Sequence, residues 1–182
     1  MAGKKLKRDI DGCAPLVSEG QTVTVCMRKT GTPTKTPLTF AGAACAMVRN
    51  AAYSDRENFL AIHLDVRNQP IGTEIIGKGL LSAVDVHPRE VFKGAILNNA
   101  ANIILAHNHP SGIAAPSPAD IQLTERLSAS GKVLGIGILD HVIVSTTGCE
   151  SLRARHDGED IHWAGAYEPD PAHPPRAPRK RR

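Results

Sequence analysis

His107 and His109 stand one residue apart, and Asp120 follows eleven residues after the second, in the segment HNHPSGIAAPSPAD (107–120). The apolar run NIILA (102–106) leads straight into the first histidine and reads as a short buried strand. Side chains at i and i+2 of an extended segment point the same way, so both imidazoles can address one point. Pro110, Ser111 and Gly112 then turn the chain. Ser117 before Pro118 has the form of a helix N-cap with proline at N1. That puts Asp120 at N3 and brings its carboxylate back toward the strand end. Two imidazoles and one carboxylate make a three-ligand shell for Zn²⁺ with a fourth position left for water, the pattern of a catalytic zinc site. Taken singly, each piece has an ordinary explanation. An isolated Ser-x-x-Asp is a capping box, and paired histidines occur in polar loops without metal. Their combination at the end of a buried strand is the stronger signal.

Metal-activated water also needs a base to take its proton and pass it on. Glu57, at the start of the apolar segment 57–66, is the candidate; read by itself it is equally a solvated carboxylate at a strand edge. Asp140 and His141 are adjacent in a strand and face opposite ways, which disfavours a dyad, or a Cys149–His141 pair. His63 reads as a satisfied core or surface histidine. Arg89 and Glu90 read as stabilisers of a helix start, with Arg89 alternatively holding a substrate carbonyl or carboxylate. Asn108, between the two histidines, should point away from them and pin the loop. His156, His162 and His173 receive no role.

The elements that position these residues follow from periodicity. Residues 21–29 alternate as a strand, and 38–53 read as an alanine-rich helix with Thr39 as a cap. Segments 57–66 and 71–79 form a hairpin, with Leu60, Ile62, Leu64 and Val66 on one face. Residues 82–86 extend the sheet. A helix over 87–101 has Pro88 in its first turn, and a second helix over 118–130 is ended by Gly131. Residues 132–145 supply one or two further strands. The predicted fold class is α/β in the broad sense, an α+β mixed sheet flanked by helices.

A chain of 182 residues with 41% hydrophobic and only 3% aromatic residues suits one globular domain cored by Val, Ile, Leu and Ala. No apolar run approaches the ~20 residues of a membrane helix. The N-terminus lacks a secretory signal pattern. Four cysteines (Cys13, Cys26, Cys45, Cys149) without CxxC spacing suggest neither a zinc knuckle nor a disulfide framework, so a cytoplasmic protein is expected. The net charge of +4 is concentrated at the ends, in Lys4, Lys5, Lys7 and Arg8 and in Arg176 and Arg179–Arg182, leaving a mildly acidic body. Such ends read as solvated termini, or as weak contacts to nucleic acid. The expected organisation is a flexible basic segment (1–20), a domain (21–155) and a polar, proline-rich tail (156–182), disordered from about residue 168.

The pattern Glu57 … His107-Asn108-His109 … Ser117 … Asp120 resembles the JAMM signature of JAB/MPN+ metallopeptidases. The stretches DRENFLAIHLD, GKGLLSAVDVHPREVFKGAILNNAANIILAHNHPSG, PSPADIQLTERL and ILDHVIV resemble the bacterial RadC-like branch over roughly residues 21–155. The resemblance implies a cytidine-deaminase-like core, zinc on His107, His109 and Asp120, and Glu57 as general base. It also implies that Ser117 donates to the tetrahedral oxyanion, and that an amide carbonyl in a peptide or isopeptide is attacked. Full-length RadC proteins carry an N-terminal helix-hairpin-helix region that the short basic segment here cannot supply. Long insertions of the kind that grip ubiquitin in eukaryotic deubiquitinases are also missing from this sequence. A non-catalytic or DNA-repair-associated binding module is the alternative expectation. An HNH nuclease is disfavoured, because its named residues are dispersed over a ββα fold. A histidine-pair amidohydrolase would need a much longer barrel chain.

Overall fold

The computed structural model of the chain describes residues 36–38, 41–79, 86–155 and 163. Among the described residues, five strands form one mixed sheet in the order β2-β1-β3-β4-β5: β1 Asn58–Leu64, β2 Pro70–Lys78, β3 Asn102–Asn108, β4 Gly137–Val144 and β5 Cys149–Ser151. β1 runs antiparallel to both β2 and β3, β3 and β4 are parallel, and β5 returns antiparallel to β4. Three α-helices accompany them: α1 Ala41–Val48, α2 Pro88–Leu97 and α3 Pro118–Leu134. This is the expected α+β mixed sheet with helices.

β1 and β3 lie inside the sheet and are buried at all seven positions each, which explains why NFLAIHL and NIILAHN read as near-continuous apolar runs. Alternate residues serve different cores. Phe59, Ile103, Leu105 and Ile138 pack with Val91, Phe92 and Ala95 of α2 and Leu123 and Leu127 of α3. Leu60, Ile62, Leu64, Ile104, Ala106 and Val142 pack with Ala44 and Val48 of α1. The sheet is therefore a middle layer, and the α3 crossover between parallel β3 and β4 returns the chain across one face.

Several boundaries differ from the sequence expectation, each for a local reason. The helix read over 38–53 is α-helical only over α1, and Arg49–Tyr53 tighten into a 3₁₀ turn. β1 stops at Leu64, because Asp65 Oδ1 accepts the backbone N–H groups of Arg67 (2.8 Å) and Gln69 (2.9 Å) and bends the chain into the hairpin turn. Val66 sits in that turn, 85% exposed, and does not share the apolar face of Leu60, Ile62 and Leu64. α2 ends at Leu97 rather than near residue 101, and Asn99 takes a positive φ of 51°. Gly131 does not end α3. The left-handed cap is Gly135 (φ 70°), four residues on. Gly131 is instead a contact point inside the helix: a Cβ there would lie 2.5 Å from the Ile136 carbonyl oxygen and 3.1 Å from the Phe92 ring.

β5 was not legible as a strand, and the cysteine reading needs correction. Cys45 of α1 and Cys149 of β5 form a disulfide, with Cα atoms 6.1 Å apart. Their separation of 104 residues leaves no local spacing signal. The described helices include none long and apolar enough to cross a membrane. The basic segment 1–20, the strand expected at 21–29, the cap at Thr39, residues 82–85 of the expected sheet extension and the tail from residue 168 lie outside the described residues; Val86, the last residue of that extension, is buried but belongs to no strand.

Gly131→Ala should test the close approach of α3 to the chain that follows it. The obstructing atom is backbone, so the clash cannot be relieved by a side-chain rotation. The expected loss is about 1–3 kcal/mol of unfolding free energy by denaturant titration; an unchanged midpoint would show that the contact is slack.

Candidate metal centre

β3 delivers His107, the loop that follows it delivers His109, and the first turn of α3 delivers Asp120. His107 is 1% exposed, and its Nε2 lies 2.9 Å from Nε2 of His109 and 3.3 Å from Oδ1 of Asp120. His109 Nε2 lies 3.7 Å from Asp120 Oδ2. The edge of a tetrahedron with zinc–ligand bonds of about 2.0–2.1 Å is roughly 3.3 Å, the scale on which the two imidazoles and the two carboxylate oxygens approach one another. The three residues form a group able to hold a metal ion, with one ligand atom from each within 4.8 Å of the others. The donor set of two imidazoles and one carboxylate fits zinc.

Asp120 is held by the helix start. Its Oδ2 accepts from the Ser117 backbone N–H (2.7 Å) and from the Ser117 hydroxyl (2.6 Å), while its own N–H donates to Ser117 Oγ (3.2 Å). The capping box uses the same carboxylate that is the candidate ligand, so neither of the two readings open in the sequence excludes the other. The Ser117 hydroxyl proton is engaged with Asp120 in this arrangement, so donation to an oxyanion requires that hydroxyl to rotate. His109 is steadied on its far side by Nδ1 against the Ile113 carbonyl at 2.8 Å. His107 Nδ1 meets His141 Nε2 at 2.8 Å.

The electrostatics follow from burial and pairing. Burial pushes His107 down to about 4, against the attraction of Asp120. Burial also opposes ionisation of Asp120, but hydrogen bonding to His109, the charge of His107 and the Ser117 donors outweigh it and hold the carboxyl well below its usual range. His109 is raised, chiefly by its contact with Asp120. Glu57 is raised by burial, with His109 lowering it and Asp120 raising it, so it lies within electrostatic reach of the cluster. Its neighbours are pinned by Asn108. Asn108 Oδ1 accepts from the Asn58 backbone N–H (2.8 Å) and from the Asn58 side chain (3.2 Å), and Asn108 Nδ2 donates to the Arg56 carbonyl (3.0 Å). Asn108 does point away from the histidines, and what it grips is the backbone on both sides of Glu57.

Other sequence candidates lie elsewhere. The Asp140 carboxylate accepts the Ser151 hydroxyl, at 2.9 and 2.7 Å, and the backbone N–H of His141 at 2.7 Å, while the His141 ring bonds to His107 and Thr124, so the pair forms no dyad. His141 itself was missed as part of the site. The signal was its parity: facing away from Asp140, it turns toward His107 on the neighbouring strand. Arg89 and Glu90 form an exposed pair (3.2 Å) that Lys93 joins (3.0 Å), in keeping with a helix-start role. His87 caps α2 by accepting from the Arg89 N–H, at 3.1 Å. His63 is buried against Asn98 (2.7 Å), with Glu74 3.9 Å from its Nε2, and that nitrogen has no hydrogen-bond partner.

A mixed sheet that presents His-x-His at a strand end, against the acidic N3 position of the following helix, defines a JAB/MPN-type domain. The chain matches the RadC-like JAB domain model over residues 38–158 and belongs to that family. It is 46% identical over 111 residues to a UPF0758 protein of Desulforudis audaxviator, covering 61% of this chain and 48% of that protein. It is 52% identical over 99 residues to one of Finegoldia magna, covering 54% and 44%. A UPF0758 protein of Methanosarcina acetivorans is 48% identical over 98 residues, covering 54% and 43%. The chain thus spans about half the length of the curated relatives it matches.

Two expectations follow. Asn108→Ala strips a buried backbone N–H of its acceptor and should lower stability by about 1–3 kcal/mol in urea unfolding; a change within error would mean that the 56–58 segment holds itself. His63, lowered to about 4 by burial, binds its proton more weakly folded than unfolded. Its contribution is complete above the unfolded value near 6.5 and is lost as pH falls toward 4. His63→Gln should flatten the fall in stability across that window, with Glu74 as the facing charged group; an identical pH profile would contradict it.

Proposed function

We propose that this chain is a zinc-dependent hydrolase of peptide or isopeptide bonds. The observation that carries the reading is the pair of imidazole Nε2 atoms 2.9 Å apart beside the Asp120 carboxylate. With Nδ1 of His109 turned to a carbonyl, the neutral ring's Nε2 carries its lone pair, and two ring nitrogens this close need a cation or a proton between them. Zinc bound there would act as a Lewis acid, polarising the scissile carbonyl and acidifying water.

The protein groups do the rest. Glu57, kept partly buried beside the cluster and raised by that burial, is suited to accept a proton and release it again. It takes the proton of the attacking water as the carbon–oxygen bond forms. It then gives that proton to the amine nitrogen as the carbon–nitrogen bond breaks, leaving a carboxylic acid and an amine, which the acid's own proton then converts to a carboxylate and an ammonium ion. Ser117, rotated from Asp120, would donate to the oxyanion that forms between these steps. A protein or peptide is the proposed substrate, and the basic ends of the chain supply at most weak, salt-sensitive contact with nucleic acid.

Metal analysis of purified protein should find one zinc per chain, absent from His107→Ala and Asp120→Ala. Glu57→Gln should keep its zinc yet hydrolyse a peptide library about 10²–10⁴-fold more slowly. Wild-type protein that takes up no metal on titration would refute the reading.

A further inference from the structure

We propose that His141 and Thr124 are positioning residues that lock His107 as its Nδ1–H tautomer and thereby turn its Nε2 lone pair to the metal. The inference rests on the zinc-site reading above and adds two residues to it. Three buried contacts run in series. Thr124 Oγ1 lies 2.6 Å from the backbone carbonyl oxygen of Asp120, His141 Nδ1 lies 2.7 Å from Thr124 Oγ1, and His107 Nδ1 lies 2.8 Å from His141 Nε2. All three side chains are essentially inaccessible to solvent.

The direction of the series is set at its far end. A carbonyl oxygen can only accept, and two oxygens 2.6 Å apart need a proton between them, so Thr124 donates its single hydroxyl hydrogen to Asp120. Thr124 has then no hydrogen left for the imidazole, and His141 must donate from Nδ1. A neutral ring carries one N–H, so His141 Nε2 is an acceptor. His107 Nδ1 must therefore be the donor, and its Nε2 carries the lone pair, on the side where His109 and Asp120 converge. The relay starts from the backbone of one proposed ligand and ends on the ring of another. A ligating histidine whose second nitrogen is held in this way is fixed in both tautomer and ring plane, and loss of such a partner weakens metal affinity about 10–100-fold. His109 has its own anchor in the Ile113 carbonyl, so the relay acts on His107 alone.

The test uses the full chain. In metal-free wild type, long-range ¹H–¹⁵N correlation spectra should report His107 and His141 both protonated at Nδ1; His107 protonated at Nε2 would overturn the proposal without any mutation. Thr124→Val, nearly isosteric, should lose this fixed tautomer and bind zinc about 10–100-fold more weakly in chelator competition. Thr124→Ser, which keeps the hydroxyl, should restore both to within a few-fold. A folded Thr124→Val with wild-type zinc affinity would defeat the relay and leave the metal site standing. Wild type that binds no zinc would defeat the metal site, while the tautomer spectra still decide the relay. Should Thr124→Val not fold, the wild-type spectra and the Thr124→Ser affinity decide it.

Discussion

A carboxylate buried between two imidazoles is the constraint on which the rest of the structure turns. Asp120 is among the few charged groups inside this domain, and burying an ion without compensation is expensive. Compensation comes from Ser117 on one side and the histidines on the other. The Asp120 carboxylate beside it draws His109 toward its protonated form, so the site favours positive charge next to Asp120. The fold makes the meeting unavoidable. β3 and β4 are parallel, so the chain must cross from the end of one to the start of the other, and α3 is that crossing. A helix that begins there presents its first turn to the strand end. Proline at N1 and the capping box then fix which atom of that turn faces the histidines.

The two histidines are supported by different parts of the molecule. His107 belongs to the sheet: it stacks on Phe59 with ring centroids 6.1 Å apart and leans on His141 of β4. His109 belongs to a loop and is 18% exposed, which makes it the open side of the cluster. Its loop is nonetheless tied down. The His109 N–H donates to the Val144 carbonyl (2.9 Å), Gly112 closes a turn at φ 83°, and the Thr147 hydroxyl donates to the Gly112 carbonyl (2.5 Å). Thr147 lies in the turn between β4 and β5, and β5 is bonded through Cys149 to Cys45 of α1. The disulfide thus anchors the strand whose preceding turn buttresses the more exposed of the two histidines.

Much of this was readable in the sequence because it depends on local rules. The i, i+2 spacing of His107 and His109, the Ser-Pro helix start and the apolar runs of β1 and β3 each carry their own structural signal. What stayed hidden depends on contacts between distant segments. Gly131 looks like a helix terminator until the backbone of Ile136 is placed against it. Cys45 and Cys149 look unrelated until α1 covers the β4–β5 corner. His141 was set aside because Asp140 and His141 cannot cooperate across a strand. The same parity that excludes that dyad aims His141 at His107, but only the β3–β4 register says so. Asn108 could be assigned a face from the sequence, and its partners, Arg56 and Asn58, required the pairing of β1 with β3.

That pairing also decides where the proposed base stands. Phe59 is opposite His107 in the antiparallel ladder, and Glu57 lies two residues before Phe59, hence on the same side of the strand line as Phe59 and His107. A slip of one residue would carry Glu57 to the α1 face and separate it from the cluster altogether. Register is protected on both faces: Leu60, Ile62 and Leu64 fill the α1 core, and Phe59 fills the other. Where the ladder ends, Asn108 takes over and holds residues 56 and 58 by side-chain hydrogen bonds in place of backbone ones. One residue of the His-Asn-His triplet therefore reaches back to the strand that carries Glu57, while the two beside it face Asp120. The proposed base and the first of the proposed metal ligands are fifty residues apart in the chain, yet their separation in space is set by a single strand pairing and one asparagine.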